Sequence, residues 1–117
     1  MRGLGQLEAT VMGVMWEVRE PVTVRAVVER LQQSREIAYT TVMTVMDNLH
    51  SKGFLTRGRA GRAYVYQAAR PREEHEAELM EEVLAGSADR SATLLHFVEK
   101  ITPDELAQLR ALLADKP

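Results

Sequence analysis

Three apolar stripes with helical spacing fill the first half of the chain, and they leave few folds open. Leu4, Leu7, Val11, Met15 and Val18 recur at three- and four-residue intervals, the mark of an amphipathic helix. Pro21 closes it, because proline keeps the preceding residue out of helical geometry. Pro21-Val22 reads as a short extended piece. Thr23 is a candidate N-cap for a second helix, with Val24, Val27, Val28 and Leu31 at i, i+3, i+4, i+7. After a polar turn from Gln33 to Glu36, the same stripe returns at Val42, Val45, Met46 and Leu49, and Gly53 is placed to end that helix. The opposite face of the third helix carries Thr40, Thr41, Met43, Thr44, Asp47, Asn48 and Ser51.

Two β-prone runs follow, Phe54 to Arg57 and Ala63 to Tyr66. Gly58 and Gly61 lie between them, which predicts a hairpin with Arg59 and Arg62 at its tip. The composition changes at Arg70-Pro71. A Glu-rich helix is expected from Glu73 to Ala85, stopped by Gly86. Leu94, Phe97, Val98 and Ile101 repeat the helical stripe. Thr102-Pro103-Asp104-Glu105 then starts a last helix, with Thr as N-cap, Pro in the first turn and Glu completing a capping box. Leu106, Leu109 and Leu113 mark its apolar side. The expected fold is mainly α with a small β-hairpin. A winged helix-turn-helix domain over residues 1–70 is followed by a helical dimerisation domain over 71–117.

The net charge of -2 argues against a polycation that coats nucleic acid or anionic membrane. It hides a division, however. Residues 1–70 hold ten Lys/Arg against six Asp/Glu, a net of +4, while residues 71–117 hold five against eleven, a net of -6. The 25 residues from Asn48 to Arg72 contain no acid, but they do contain Lys52, Arg57, Arg59, Arg62, Arg70 and Arg72. On charge alone such a stretch reads equally as a solvated surface with chance clustering or as the footprint of a polyanion.

Cysteine is absent, which excludes disulfides, thiolate metal sites and Cys-nucleophile chemistry. It fits a cytoplasmic protein. No run approaches the ~20 apolar residues of a membrane span, and the N-terminus lacks the pattern of a signal peptide. Catalysis is not expected. His75-Glu-Ala-Glu-Leu79 would need His in place of Leu79 to be a zinc-protease helix, and His50, His75 and His96 have no ligand spacing among themselves. No cofactor and no metal are expected.

The order of helix, helix, helix, strand, basic turn, strand is that of a winged helix-turn-helix. Its third helix fits the major groove of DNA. Thr40, Thr41, Met43, Thr44 and Asn48 are the candidate groove readers. Short hydroxyl side chains allow close approach, the Thr methyl can meet a thymine methyl, and Asn can pair with adenine. Lys52, Arg57, Arg59 and Arg62 are the candidate phosphate contacts. Asp47 opposes this reading unless it pairs with Lys52 or Arg25. The C-terminal stripes need a partner surface: either the helices fold back onto the first domain, or they form a homodimer, which suits DNA with two half-sites. The candidate dimer residues are Leu94, Phe97, Val98, Ile101, Leu106, Leu109 and Leu113. The alternative is a winged-helix protein-interaction module whose wing engages an acidic partner.

Four segments carry a family resemblance: Leu7-Glu8 through Val11-Met12 to Trp16; Tyr39-Thr-Thr-Val-Met-Thr-Val45 on to Leu49 and Lys52-Gly-Phe-Leu55; the wing from Arg57 to Tyr66; and Leu94-Leu-His-Phe-Val-Glu-Lys100 with the capped helix from Pro103 to Leu113. Together they resemble the penicillinase-repressor (BlaI/MecI) family of transcriptional regulators over nearly the whole chain. The resemblance implies a homodimeric repressor on a dyad-symmetric operator, controlling β-lactamase-type or other stress-response genes. It also implies a partner, a membrane sensor-transducer with a metalloprotease domain that cuts the repressor within its C-terminal segment. The family's cleaved Asn-Phe bond aligns with His96-Phe97. Basic residues of the family's recognition helix align with Met43 and Asn48. A copper-responsive branch holds metal with a C-terminal cysteine cluster, which this chain lacks.

Overall fold

Each helix in the computed structural model, which describes residues 3–116, begins and ends where local chemistry stops it. The order is α1 (Gln6–Glu17), α2 (Val24–Gln32), α3 (Tyr39–Ser51), β1 (Leu55–Ala60), β2 (Ala63–Ala68), α4 (Arg72–Ala85), α5 (Arg90–Val98) and α6 (Pro103–Ala114). The protein is therefore mainly helical with a two-stranded hairpin, as the sequence predicts. Thr23 caps α2, its side chain accepting from the Ala26 N–H at 3.2 Å. Gly53 follows α3 with φ 86°, a left-handed conformation that side-chain-bearing residues resist. Thr102 and Glu105 form the expected capping box on α6, with Pro103 in its first turn.

The chain divides into two compact units, Met1–Leu79 and Met80–Pro117. In the first, the stripes of α1, α2 and α3 meet in one core. Val11, Met12 and Met15 pack with Val27, Leu31, Val42, Met46 and Leu49, and the hairpin adds Leu55 and Tyr66. Burying each such side chain contributes about 1.5–3 kcal/mol. Leu4 and Val18 lie just outside α1 yet pack against this core. Val22 exchanges two backbone hydrogen bonds with Tyr66, at 2.9 and 2.7 Å, so the extended Pro21-Val22 piece anchors the base of the hairpin.

The hairpin is longer than the sequence predicts. Its register pairs Leu55 with Ala68, Arg57 with Tyr66, Arg59 with Tyr64 and Ala60 with Ala63. Gly58 and Arg59 lie inside β1 rather than in the turn, and only Gly61 and Arg62 connect the strands. Glycine accepts extended geometry as readily as a turn, so Gly58 does not end the strand. Gly61 has φ 67° and is the first central residue, while no non-glycine residue has positive φ. That combination marks a type II′ connection.

The second unit is secured by local bonds. Asp89 caps α5 through the Ala92 N–H at 3.0 Å, and Arg90 grips Glu81 with two bonds of 3.1 and 3.0 Å. Ile101 falls beyond α5, in a turn closed by Ile101 N–H donating to the Val98 carbonyl at 3.1 Å. Thr102 must be extended to precede Pro103, so the helix ends before it and the predicted stripe finishes in that turn.

The start of α1 yields an acid-stability prediction. Glu8 accepts from the Lys52 ammonium at 2.6 Å and from the Gly5 N–H at 3.0 Å. The Lys52 bond first, then the Gly5 bond, hold its carboxyl below the ordinary value of 4.5. A depressed carboxylate stabilises the fold above its unfolded pKa, and this stabilisation is lost as pH falls through the folded value. Melting temperature is expected to fall below about pH 4.5. Glu8→Gln should remove part of that slope, leaving the shares of Glu81 and Glu105, whose carboxyls are also depressed. The check is thermal melting from pH 3 to pH 6.

Candidate nucleic-acid interface

The exposed side of α3 and one face of the hairpin form the candidate site. The buried stripe of α3 fixes its orientation. With Val42, Met46 and Leu49 facing the core, Thr40, Thr41, Met43, Thr44, Asp47 and Asn48 face outward. Thr40, Thr44 and Asn48 follow one another at i, i+4, i+8, a single row along the helix. Met43 precedes Asp47 on a parallel row. Met43 and Tyr39 are both close to half exposed, an apolar element within a polar face.

Directly opposed residues of an antiparallel pair share a face, so Leu55, Arg57 and Arg59 share theirs with Ala68, Tyr66 and Tyr64. This face is graded. Leu55 and Tyr66 lie in the core, Arg57 is mostly covered and Tyr64 is exposed. The Tyr64 ring is flanked by both arginines, with the Arg57 guanidinium 4.3 Å from its centroid and that of Arg59 at 4.7 Å. Such stacking holds a guanidinium in one orientation while leaving its edge available.

The four candidate phosphate contacts are not equivalent. The Lys52 ammonium is engaged by Glu8. Arg57 donates to Asp47 Oδ1 at 2.9 Å and to the Tyr66 hydroxyl at 3.3 Å. These bonds, that to Tyr66 first, raise its pKa further. Asp47 thus pairs with Arg57, not with the Lys52 or Arg25 partners considered from the sequence. Arg59 donates to the Arg62 carbonyl at 3.5 Å, besides its stacking on Tyr64. Among the described residues, no carboxylate pairs with Arg59 or Arg62. Tyr64 and Tyr66 are the residues of this site that the sequence does not single out. The alternation Arg57, Arg59 and Tyr64, Tyr66 is a strand-face signal that points to the tyrosines.

The other singled-out residues have structural partners. Trp16 is partly buried, and its indole N–H donates to the Arg70 carbonyl at 3.1 Å. His75 packs between the Trp16 and Phe54 rings, with centroids at 5.6 and 5.1 Å. Within the first unit, this contact packs the first turns of α4 against α1 and the residue before β1. No group of three or more His, Asp or Glu able to hold a metal ion occurs among the described residues. No helix among them is long and apolar enough to cross a membrane.

In the second unit the predicted dimer residues are unburied. Phe97 is 46% exposed and Leu109 45%, and Leu94, Leu95, Val98, Leu112 and Leu113 are also exposed. Ile101 and Leu106 are partly covered. His96 lies on α5 with its side chain in solvent, 3.4 Å from Glu99.

Comparison with known proteins gives a consistent result. Residues 4–115 match the penicillinase repressor family. The chain is 44% identical over 115 residues to transcriptional regulator BlaI of Mycobacterium tuberculosis, spanning 96% of this chain and 83% of that protein. Among solved structures, it resembles monomeric BlaI of Bacillus licheniformis in complex with the blaP half-operator. That likeness has a TM-score of 0.52 and 24% identity, covering 62% of this chain and 87% of that one. It also resembles RosR of H. salinarum, with a TM-score of 0.54 and 20% identity over 92% of this chain and 97% of that one. At these identities the structural likeness speaks for the fold.

Proposed function

Because the chain belongs to the penicillinase-repressor family, we propose that it represses transcription by binding operator DNA as a homodimer. One observation carries the reading. The outward face of α3 offers short hydroxyls, Met43 and Asn48, beside a wing whose Arg59 and Arg62 have no carboxylate partner among the described residues. In this reading Thr40, Thr41, Met43, Thr44 and Asn48 meet base edges in the major groove. Arg59 and Arg62 take phosphates and set the register.

The second unit supplies the dimer contact. Neither α5 nor α6 contains a buried residue, and their apolar side chains are costly to leave in water. A twofold contact through Leu94, Phe97, Val98, Ile101, Leu106, Leu109 and Leu113 would present two reading heads to two half-sites. Cutting His96-Phe97, as a sensor protease would on the family pattern, separates α6 from α5 and divides that surface. A cytoplasmic location, with access to the chromosome, belongs to the same reading.

The test is a gel shift with duplex DNA from upstream of the chain's own gene, against random duplex of equal length. Retardation of the upstream duplex at a concentration at least 100-fold below that for random DNA is expected. Absence of retardation of either duplex at low salt would favour the protein-interaction module.

A further inference from the structure

Asp47 is an unexpected residue on a face meant for DNA. It sits one turn beyond Met43 and next to Asn48, and its side chain is 58% exposed. A lone carboxylate there would repel phosphate. It is not alone, however. Arg57 crosses from β1 to bond it at 2.9 Å, bonds the Tyr66 hydroxyl at 3.3 Å and lies on the Tyr64 ring. Its side chain is only 24% exposed. Tyr66 is itself in the core and is bonded through its backbone to Val22. Arg57 is therefore held on three sides, by the reading helix, the opposite strand and the aromatic ring.

We propose that Asp47 and Arg57 form a charge-neutral strut that fixes the wing against α3 and withholds Arg57 from the DNA backbone. Arg57 is then a positioning residue, and Asp47 sets specificity. With the strut intact, the wing's phosphate contacts come from Arg59 and Arg62, and the wing and α3 present one fixed spacing to the groove. Without it, the wing loses its fixed spacing to α3, which weakens the operator's base contacts, while a freed Arg57 adds a contact that every sequence offers equally. This inference rests on the DNA-binding reading.

The experiment uses the full chain with the upstream duplex and a random duplex, and measures affinity from 50 to 300 mM salt. Each phosphate contact contributes about 0.9 to the slope of log K against log salt. In Asp47→Asn/Arg57→Gln the net charge of the pair is unchanged. Its slope is expected to match the wild type, while the upstream-to-random ratio falls at least fivefold. In Asp47→Asn, a surface change that keeps every buried side chain, the random duplex should bind more tightly and with a steeper slope. A double variant whose slope is shallower by about 1.8, two contacts per dimer, would make Arg57 a phosphate ligand and overturn the proposal. An unchanged upstream-to-random ratio in Asp47→Asn would overturn it too. A wild type that binds neither duplex would instead remove the DNA-binding reading beneath it. Thermal melting of each variant separates these effects from loss of fold.

Discussion

Phe97→Asp is expected to leave the protein monomeric at micromolar concentration and to weaken operator binding by about 100-fold or more. Phe97 is 46% exposed in the single chain and lies near the centre of the apolar surface on α5. By twofold symmetry the substitution places two carboxylates in one interface. Desolvating each costs several kcal/mol. Loss of the dimer also uncouples the two reading heads, and tethering of two binding modules is commonly worth 10²–10⁴ in overall affinity. Leu109→Asp, on α6, should act in the same way. Sedimentation equilibrium and gel shift measure the two effects separately. The core of the first unit lies in α1, α2, α3 and the hairpin, so its melting should barely change. A wild type that sediments as a monomer, or a Phe97→Asp protein that stays dimeric, would remove the dimer from the account.

Arg59→Ala with Arg62→Ala is expected to lower affinity for all DNA alike. The two arginines, present twice in a dimer, make four phosphate contacts in the proposed complex. Their loss should reduce the slope of log K against log salt by about 3.6 and the affinity at 0.1 M salt by about three decades. The difference should shrink toward 1 M salt, where release of counterions no longer drives binding. The upstream-to-random ratio should stay nearly constant, because phosphates carry no sequence information. Titration of both duplexes over a salt series is the check. An unchanged slope would show that the wing does not touch the backbone.

Much of the fold is legible in the sequence because its determinants are local. The stripe Val42, Val45, Met46, Leu49 orients α3 whatever the rest of the chain does, and it therefore identifies the outward row of Thr40, Thr44 and Asn48. Thr102, Pro103 and Glu105 act within one turn, so the start of α6 can be read directly. The hairpin tip was less legible. Gly58 and Gly61 are the same residue type, and only pairing across the strands shows that one extends β1 while the other turns. Ile101 keeps its helical spacing in the sequence, but Pro103 two residues later ends the helix before it.

Local spacing and composition set the order of elements, the outward face of the third helix and the concentration of positive charge between Asn48 and Arg72. Which of those charges is left without a carboxylate partner among the described residues is set by how the elements pack. Lys52 meets Glu8 across 44 positions of sequence, and Arg57 meets Asp47 across ten. Neither pairing has a sequence spacing that announces it. The physical reason is range. A cap or an apolar stripe acts through neighbours three or four residues away. An ion pair depends on a few ångströms of space, and the packing of the whole domain decides which groups come that close.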